Sequence, residues 1–324
     1  MKKVFKWGWY LLLIALIFGG IAWLNHGVAS VSIKKGRPQI MWKQGETLKK
    51  DFAVGDFDKL NITAGSNIEI KTGDHAAVQY LGDTREQPTV TFDQQRKQVT
   101  IVQDVAGKHE SHDFVGAMFT KGADPKIIVI VPRETKLNNL ALHFNGQPEE
   151  NRLYGNNRVE FKNITAERVK LTGHDLDNLF CENVNFSQGK ISFPKAFISI
   201  KNSTLTQMVI TDNNDVNEDD IKIEKTILNG GSLQGYHDEI QFNHNVIHNG
   251  YQIINEDGLI HIHQVNVAGV KITSKDDAVK RIGSEMNHQD GTMNKGDISK
   301  NVLDINIVGP DGVARVESMK EDLR

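Results

Sequence analysis

Five histidines, His237, His244, His248, His261 and His263, fall within 27 positions of one another. Imidazoles one residue apart on an extended segment project to the same side, so His261 and His263 have a spacing able to chelate zinc. His244 lies on a neighbouring repeat and is the third candidate ligand. No acidic ligands flank these residues in a fixed pattern, and a solvated strand face accepts the same side chains, which is the reading the sequence favours. A second cluster, Asp212 to Asp220 (DNNDVNEDD), holds five carboxylates in nine positions. Calcium takes several carboxylate and amide oxygens, and counted from Asp215, Asn217 and Asp219 fit the third and fifth positions of a calcium loop. The sixth position is Asp220 where glycine is needed, and the twelfth is Thr226 where a bidentate Glu belongs. An acidic turn is the better reading.

Paired carboxylates also act as acid and base in polysaccharide cleavage, and Asp219-Asp220 is such a pair. The segment Arg281-Ile282-Gly283 resembles the arginine element of pectin-cleaving β-helices. Their Gly-His-Gly and Asn-Thr-Asp elements are absent from the chain, as are a Walker loop, GxGxxG and HExxH. Gly231-Ser232-Leu233-Gln234-Gly235 does not match a nucleophile elbow. Cys181, a lone cysteine, reads as a packed apolar side chain. No catalytic residue, cofactor or resident metal is therefore expected.

Between residues 159 and 267 six segments align: VEFKNITA, NLFCENVNF, ISIKNSTLT, IKIEKTILN, IQFNHNVIH and IHIHQVNVA. Aligned on Phe161, Phe180, Ile200, Ile223, Phe242 and Ile262, they are spaced 19, 20, 23, 19 and 20 residues apart. A period near 20 built from short strands and Asn/Gly turns predicts an all-β, solenoid-like fold, each coil burying its inward face only by stacking on the next. Asn163, Asn183, Asn202 and Asn245 are expected at left-handed corners. Upstream, Leu60, Ile62, Ile68 and Ile70 alternate with polar residues as strands do, and Lys126 to Pro132 (KIIVIVP) reads as a strand buried on both faces. VLDINIV, GPDG and VARVES read as a hairpin capping the last coil.

Residues 7–24 (WGWYLLLIALIFGGIAWL) are 18 consecutive uncharged positions with aromatic ends, about 27 Å long as a helix. The stretch is long for a cleaved signal sequence and reads as an uncleaved signal anchor. The expected organisation is a cytoplasmic tail (1–6), a transmembrane anchor (7–24), a stalk (25–50), an N-terminal β region (51–134), solenoid repeats (135–275) and a loop with the capping hairpin (276–324). The C-terminal domain is expected outside the cell membrane. With 38 Lys+Arg against 41 Asp+Glu, the chain lacks the clustered positive charge of a nucleic-acid binder.

The segments FDKLNITAGSNIEIKTGD and KIIVIVPRETKLNNLAL and the repeated coils resemble the DUF4097 family of bacterial envelope proteins, over residues 52–275. The resemblance implies a solenoid-like domain displayed at the cell surface, acting in adhesion or envelope stress, and it supplies no catalytic residues. The expected function is a non-enzymatic, single-pass membrane protein with a solenoid binding face, whose partners are cell-envelope polymers or envelope proteins. The alternatives are a carbohydrate-active hydrolase or lyase on the same scaffold and a structural partner in an envelope-stress signalling complex.

Overall fold

The computed structural model describes residues 9–10, 12–17, 29–34, 37–42, 47–103, 125–146, 157–212, 220–236, 238–274, 278–309 and 311–320. Alternation of apolar and polar residues makes nearly all of these strands. In β4 (Lys59–Ala64), for example, Leu60, Ile62 and Ala64 are buried while Lys59, Asn61 and Thr63 face outward.

Two long parallel sheets enclose one core. The first has the spatial order β9 (Lys126–Pro132), β5 (Asn67–Gly73), β11 (Arg158–Lys162), β13 (Asn178–Glu182), β15 (Phe197–Lys201), β17 (Asp220–Glu224), β19 (Glu239–His248), β21 (Leu259–Asn266), β27 (Val313–Lys320) and β23 (Val279–Ile282). The second runs β8 (Gln98–Val102), β4, β10 (Lys136–Asn145), β12 (Thr165–His174), β14 (Asn185–Ser192), β16 (Thr204–Thr211), β18 (Ile227–Tyr236), β20 (Tyr251–Glu256), β26 (Val302–Ile307) and β22 (Gly269–Ser274). The chain alternates between sheets, so each coil adds one strand to each. At one end β6 (Ala77–Asp83) lies antiparallel on β9, with β3 (Thr47–Phe52) outside it, and β7 (Thr89–Asp93) lies antiparallel on β8. At the other end β24 (Glu285–Asn287) and β25 (Gly291–Gly296) do the same on β23 and β22. A separate antiparallel pair joins β1 (Ala29–Lys34) and β2 (Arg37–Trp42).

Coil order departs from chain order at both ends. The coil β4–β5 sits between β8–β9 and β10–β11, and β26–β27 sits between β20–β21 and β22–β23. The expected C-terminal capping hairpin is therefore corrected. Strands β26 and β27 do not pair with each other; the segment joining them turns a corner between the two sheets, and the caps are β24 and β25. The expectation of a doubly buried KIIVIVP strand also fails. Ile127, Val129 and Val131 are buried, but Ile128 and Ile130 are only half-covered, Ile130 lying over the bare backbone of Gly73.

Parallel pairing aligns the buried residues into columns. In the first sheet one column is Val129, Ile70, Phe161, Cys181, Ile200, Ile223, Phe242, Ile262, Val316 and Ile282. Phe180 is not in it. The pairing joins Phe161 to Cys181 and turns Phe180 outward, because inward residues recur every second position and a one-residue slip reverses the face. Across the core Phe161 meets Phe186 of the second sheet edge-on, with centroids 5.9 Å apart. Each fully buried Leu, Ile or Phe of this kind is worth about 1.5–3 kcal/mol. In the second sheet Met208 stacks between Gly189 and Gly231; at Gly231 (φ 101°) a β-carbon would sit 2.2 Å from the Met208 carbonyl oxygen, so only glycine fits.

The corners carry the expected left-handed residues at Asn163, Asn183 and Asn202, with φ of 58°, 53° and 50°. The next two are Lys225 and His244, not Asn245. Asn245 is one position further on, buried, where its side chain donates to Ile223 O at 2.7 Å and accepts from Thr226 N at 2.9 Å. Ser203 and Thr226 hold the equivalent positions in earlier coils, accepting from Val184 N and Ser203 N. Among the described residues no helix is long and apolar enough to cross a membrane; of the expected anchor, Trp9, Tyr10 and residues 12–17 are described, helical and exposed.

Candidate functional site

On the outer face of the first sheet, side chains that alternate with the buried columns stack into ladders with a spacing of about 4.8 Å. One ladder reads Glu69, Glu160, Phe180, Ser199, Lys222, Gln241, His261, Arg315 and Arg281. Its chemistry changes along the solenoid.

The early coils carry ion networks. Glu69, nearly buried, receives Lys126 at 2.5 Å and Lys71 at 3.0 Å. Burial pushes its carboxyl up, but the hydrogen bonds from Lys126 and Lys71 outweigh that and hold it below the usual carboxylate range. Glu160 is paired with Lys162 at 2.8 Å and Arg158 at 3.3 Å.

In the middle lies an aromatic platform. Phe180 and Phe197, on adjacent strands, have ring centroids 5.9 Å apart and are both half-exposed. The Arg158 guanidinium lies 4.3 Å from the Phe180 centroid and the Lys222 ammonium 5.3 Å from that of Phe197. Such contacts contribute about 0.5–1 kcal/mol each at exposed sites. They also flank the two rings, which are tilted 55° to one another, with hydrogen-bond donors. An extended polar chain can stack on this surface and be gripped at its edges.

The last coils carry the histidines. His261 Nε2 lies 2.7 Å from Glu317 Oε1, and His263 Nδ1 bonds the other oxygen of the same carboxylate. Since a carboxylate only accepts, the ring nitrogens facing it carry hydrogen. These bonds hold the exposed Glu317 below the ordinary carboxylate range. The His244 ring is 5.9 Å from that of His263, edge-on. The structure brings the three candidate histidines together, and it adds Glu317, which the sequence reading missed because it arrives from a strand more than 50 residues away. Among the described residues no group of three or more His, Cys, Asp or Glu side chains could hold a metal ion. His248 is exposed at the end of β19, and His237 lies outside the described residues.

Asp215, Asn217 and Asp219 also lie outside the described residues. Of the acidic run, Asp212 is buried and Asp220 pairs with Lys222 at 3.1 Å. Cys181 faces the core, where burial pushes its thiol well above the ordinary range, so no thiolate is available there.

No curated protein matches the chain. A solved candidate adhesin from Bacteroides fragilis shares 10% identity over 84% of this chain and 97% of its own, with a TM-score of 0.38. A candidate cell adhesion protein from Clostridium sporogenes shares 12% over 86% and 100%, with a TM-score of 0.23. A candidate lipid binding protein from Parabacteroides distasonis shares 10% over 84% and 98%, with a TM-score of 0.36. The family model for the Toastrack domain, DUF4097, matches residues 57–308, from the first buried aromatic of the stack to the end of β26, and on that match the chain belongs to the DUF4097 family.

Proposed function

We propose that this chain is a non-enzymatic, membrane-anchored protein of the bacterial envelope that binds envelope polymers, adhesin-like, through the outer face of its first sheet. The observation that carries this reading is the Phe180–Phe197 platform between Arg158 and Lys222, an outward aromatic pair where the repeat would accept any polar residue. Core packing does not require these rings, and leaving them half-exposed has an energetic cost that binding would offset. The exposed apolar residues Leu12, Leu13, Ile14, Leu16 and Ile17 support an N-terminal anchor, and the β domain is placed outside because long domains translocate largely regardless of charge. The ties of Asp220 to Lys222 and of Cys181 to the core support binding rather than bond-breaking.

The test is co-sedimentation of the full-length chain with purified cell-wall polysaccharide. The double variant Phe180→Ser/Phe197→Ser should lose at least tenfold in apparent affinity while keeping a cooperative thermal transition within about 6 °C of the wild type, the loss expected from two cation–π contacts and one ring contact. Equal binding by the variant, or release of reducing ends by the wild type, would overturn the reading. Protease added to intact wall-stripped cells should digest the β domain; protection until the membrane is permeabilised would reverse the proposed orientation.

A further inference from the structure

The end of the outer face near β23 breaks a rule kept on the rest of it. In the earlier coils the cations lie against carboxylates: Lys71 and Lys126 on Glu69, Arg158 and Lys162 on Glu160, Lys222 on Asp220 and Lys201 on Glu224. At the far end Arg315 of β27 and Arg281 of β23 are direct cross-strand partners, and His261 of β21 is the next rung. Like charges placed directly opposite on adjacent strands destabilise a sheet. Yet among the described residues neither arginine has an ion pair. The nearest carboxylate on the same strand, Glu317, is engaged by His261 and His263 instead. Among the described residues Arg281 donates its Nε to Gly283 O at 2.8 Å, which orients the guanidinium, and makes no bond from its terminal nitrogens.

These groups line a cavity of about 540 Å³ together with Gly283, Ser284 and Glu317. The turn after β23 forms one wall of this open recess, along which both arginines are exposed.

We infer that this recess is a binding site for a phosphate group carried on a larger molecule. Two guanidinium forks one strand spacing apart can each present paired N–H donors to the edges of a tetrahedral oxyanion. Glu317 also lines the recess, and its pairing with His261 and His263 offsets the repulsion its carboxylate would exert on a bound phosphate. The recess exceeds the volume of a phosphate alone, which leaves room for the alcohol the phosphate esterifies. A bound phosphate would offset the repulsion between Arg281 and Arg315, which have no ion pair among the described residues. The inference does not rest on the aromatic platform, since the two sites lie in different coils.

Isothermal titration calorimetry of the full-length chain, at fixed chloride, tests it with two probes: inorganic phosphate and sn-glycero-3-phosphoglycerol, the diester headgroup of a glycerophospholipid without its chains. Saturable binding of at least one probe is expected, weakened at least tenfold by Arg281→Gln and by Arg315→Gln and unchanged by Arg158→Gln or by Phe180→Ser/Phe197→Ser. Preference for the diester supports an esterified phosphate as the ligand, whereas tenfold or greater preference for inorganic phosphate overturns the inference that the phosphate is carried on a larger molecule. Arg315→Lys keeps the charge without the fork and should bind between wild type and Arg315→Gln. No saturable heat with either probe, or equal affinity in wild type and both glutamine variants, overturns the inference.

Discussion

The two ends of the solenoid meet the same difficulty with opposite chemistry. A terminal coil leaves unpaired backbone groups and the open mouth of an apolar column, both prone to association. At the β9 end the cover is apolar: β6 lies antiparallel on the last parallel strand and buries Val78 and Tyr80 completely. At the β23 end the inward column of Ile240, Ile260 and Ala314 terminates in Lys280, also buried. Its ammonium donates to Ser274 Oγ at 2.7 Å, to Gly291 O at 3.3 Å and to Gln289 O, tying the cap to the coil beneath. Burial pushes the Lys280 ammonium below its ordinary range, against the pull of Asp290. An apolar closure needs a strand with the right alternation, whereas a polar closure needs only carbonyls within reach of one long side chain. The second kind leaves its outer surface free to carry arginines and a recess.

The middle of the stack sets the scale for both ends. Phe242→Asp puts an unpaired charge inside the column and should cost about 3–5 kcal/mol, abolishing the cooperative thermal transition. Phe180→Asp, on the outer ladder, should shift the melting temperature by no more than about 2 °C. If circular-dichroism melts gave the reverse ranking, the register of β13 would be wrong.

Tyr80→Ala should then cost about 3–4 kcal/mol by opening a cavity under the apolar cap. Amide exchange should rise in β9 and β5 while β22 and β23 stay protected. Lys280→Ala should cost about 2 kcal/mol, through lost hydrogen bonds and a smaller void, with faster exchange confined to residues 278–296. Global loss of protection in either variant would mean that the ends do not open independently.

The smallest effect concerns acid. The folded-state carboxyl of Glu69 is lowered, so its stabilisation is fully present above the ordinary glutamate value of about 4.3 and is lost as pH falls through the lowered folded value. Glu69→Gln should remove about 1 kcal/mol at neutral pH and flatten the decline in stability between about pH 5 and 3, read by chemical denaturation. Glu317, exposed at the other end, shifts in the same direction, and Glu317→Gln should flatten that decline less.

The period of the repeat, the alternation of strands such as β4 and the proximity of His244, His261 and His263 were legible because they depend on residues near in sequence or on a constant spacing. Phe180 shows where that reading fails. A large apolar residue beside a small thiol invites the wrong phase, and only the pairing of Phe161 with Cys181 reveals which of the two faces the core. The same slip conceals the aromatic platform, since aligning Phe180 with Phe161 places it on the inward face. Asn245 was likewise one position from its expected corner, because His244 takes the left-handed turn in that coil.

Local pattern thus determined that the chain forms stacked strands of about 20-residue coils, because side-chain alternation and turn chemistry act within a few residues. The tertiary structure decided which coil lies beside which. Parallel pairing has no local code for its partner, so β27 could slip between β21 and β23, bring Glu317 to His261 and His263, and set Arg315 against Arg281.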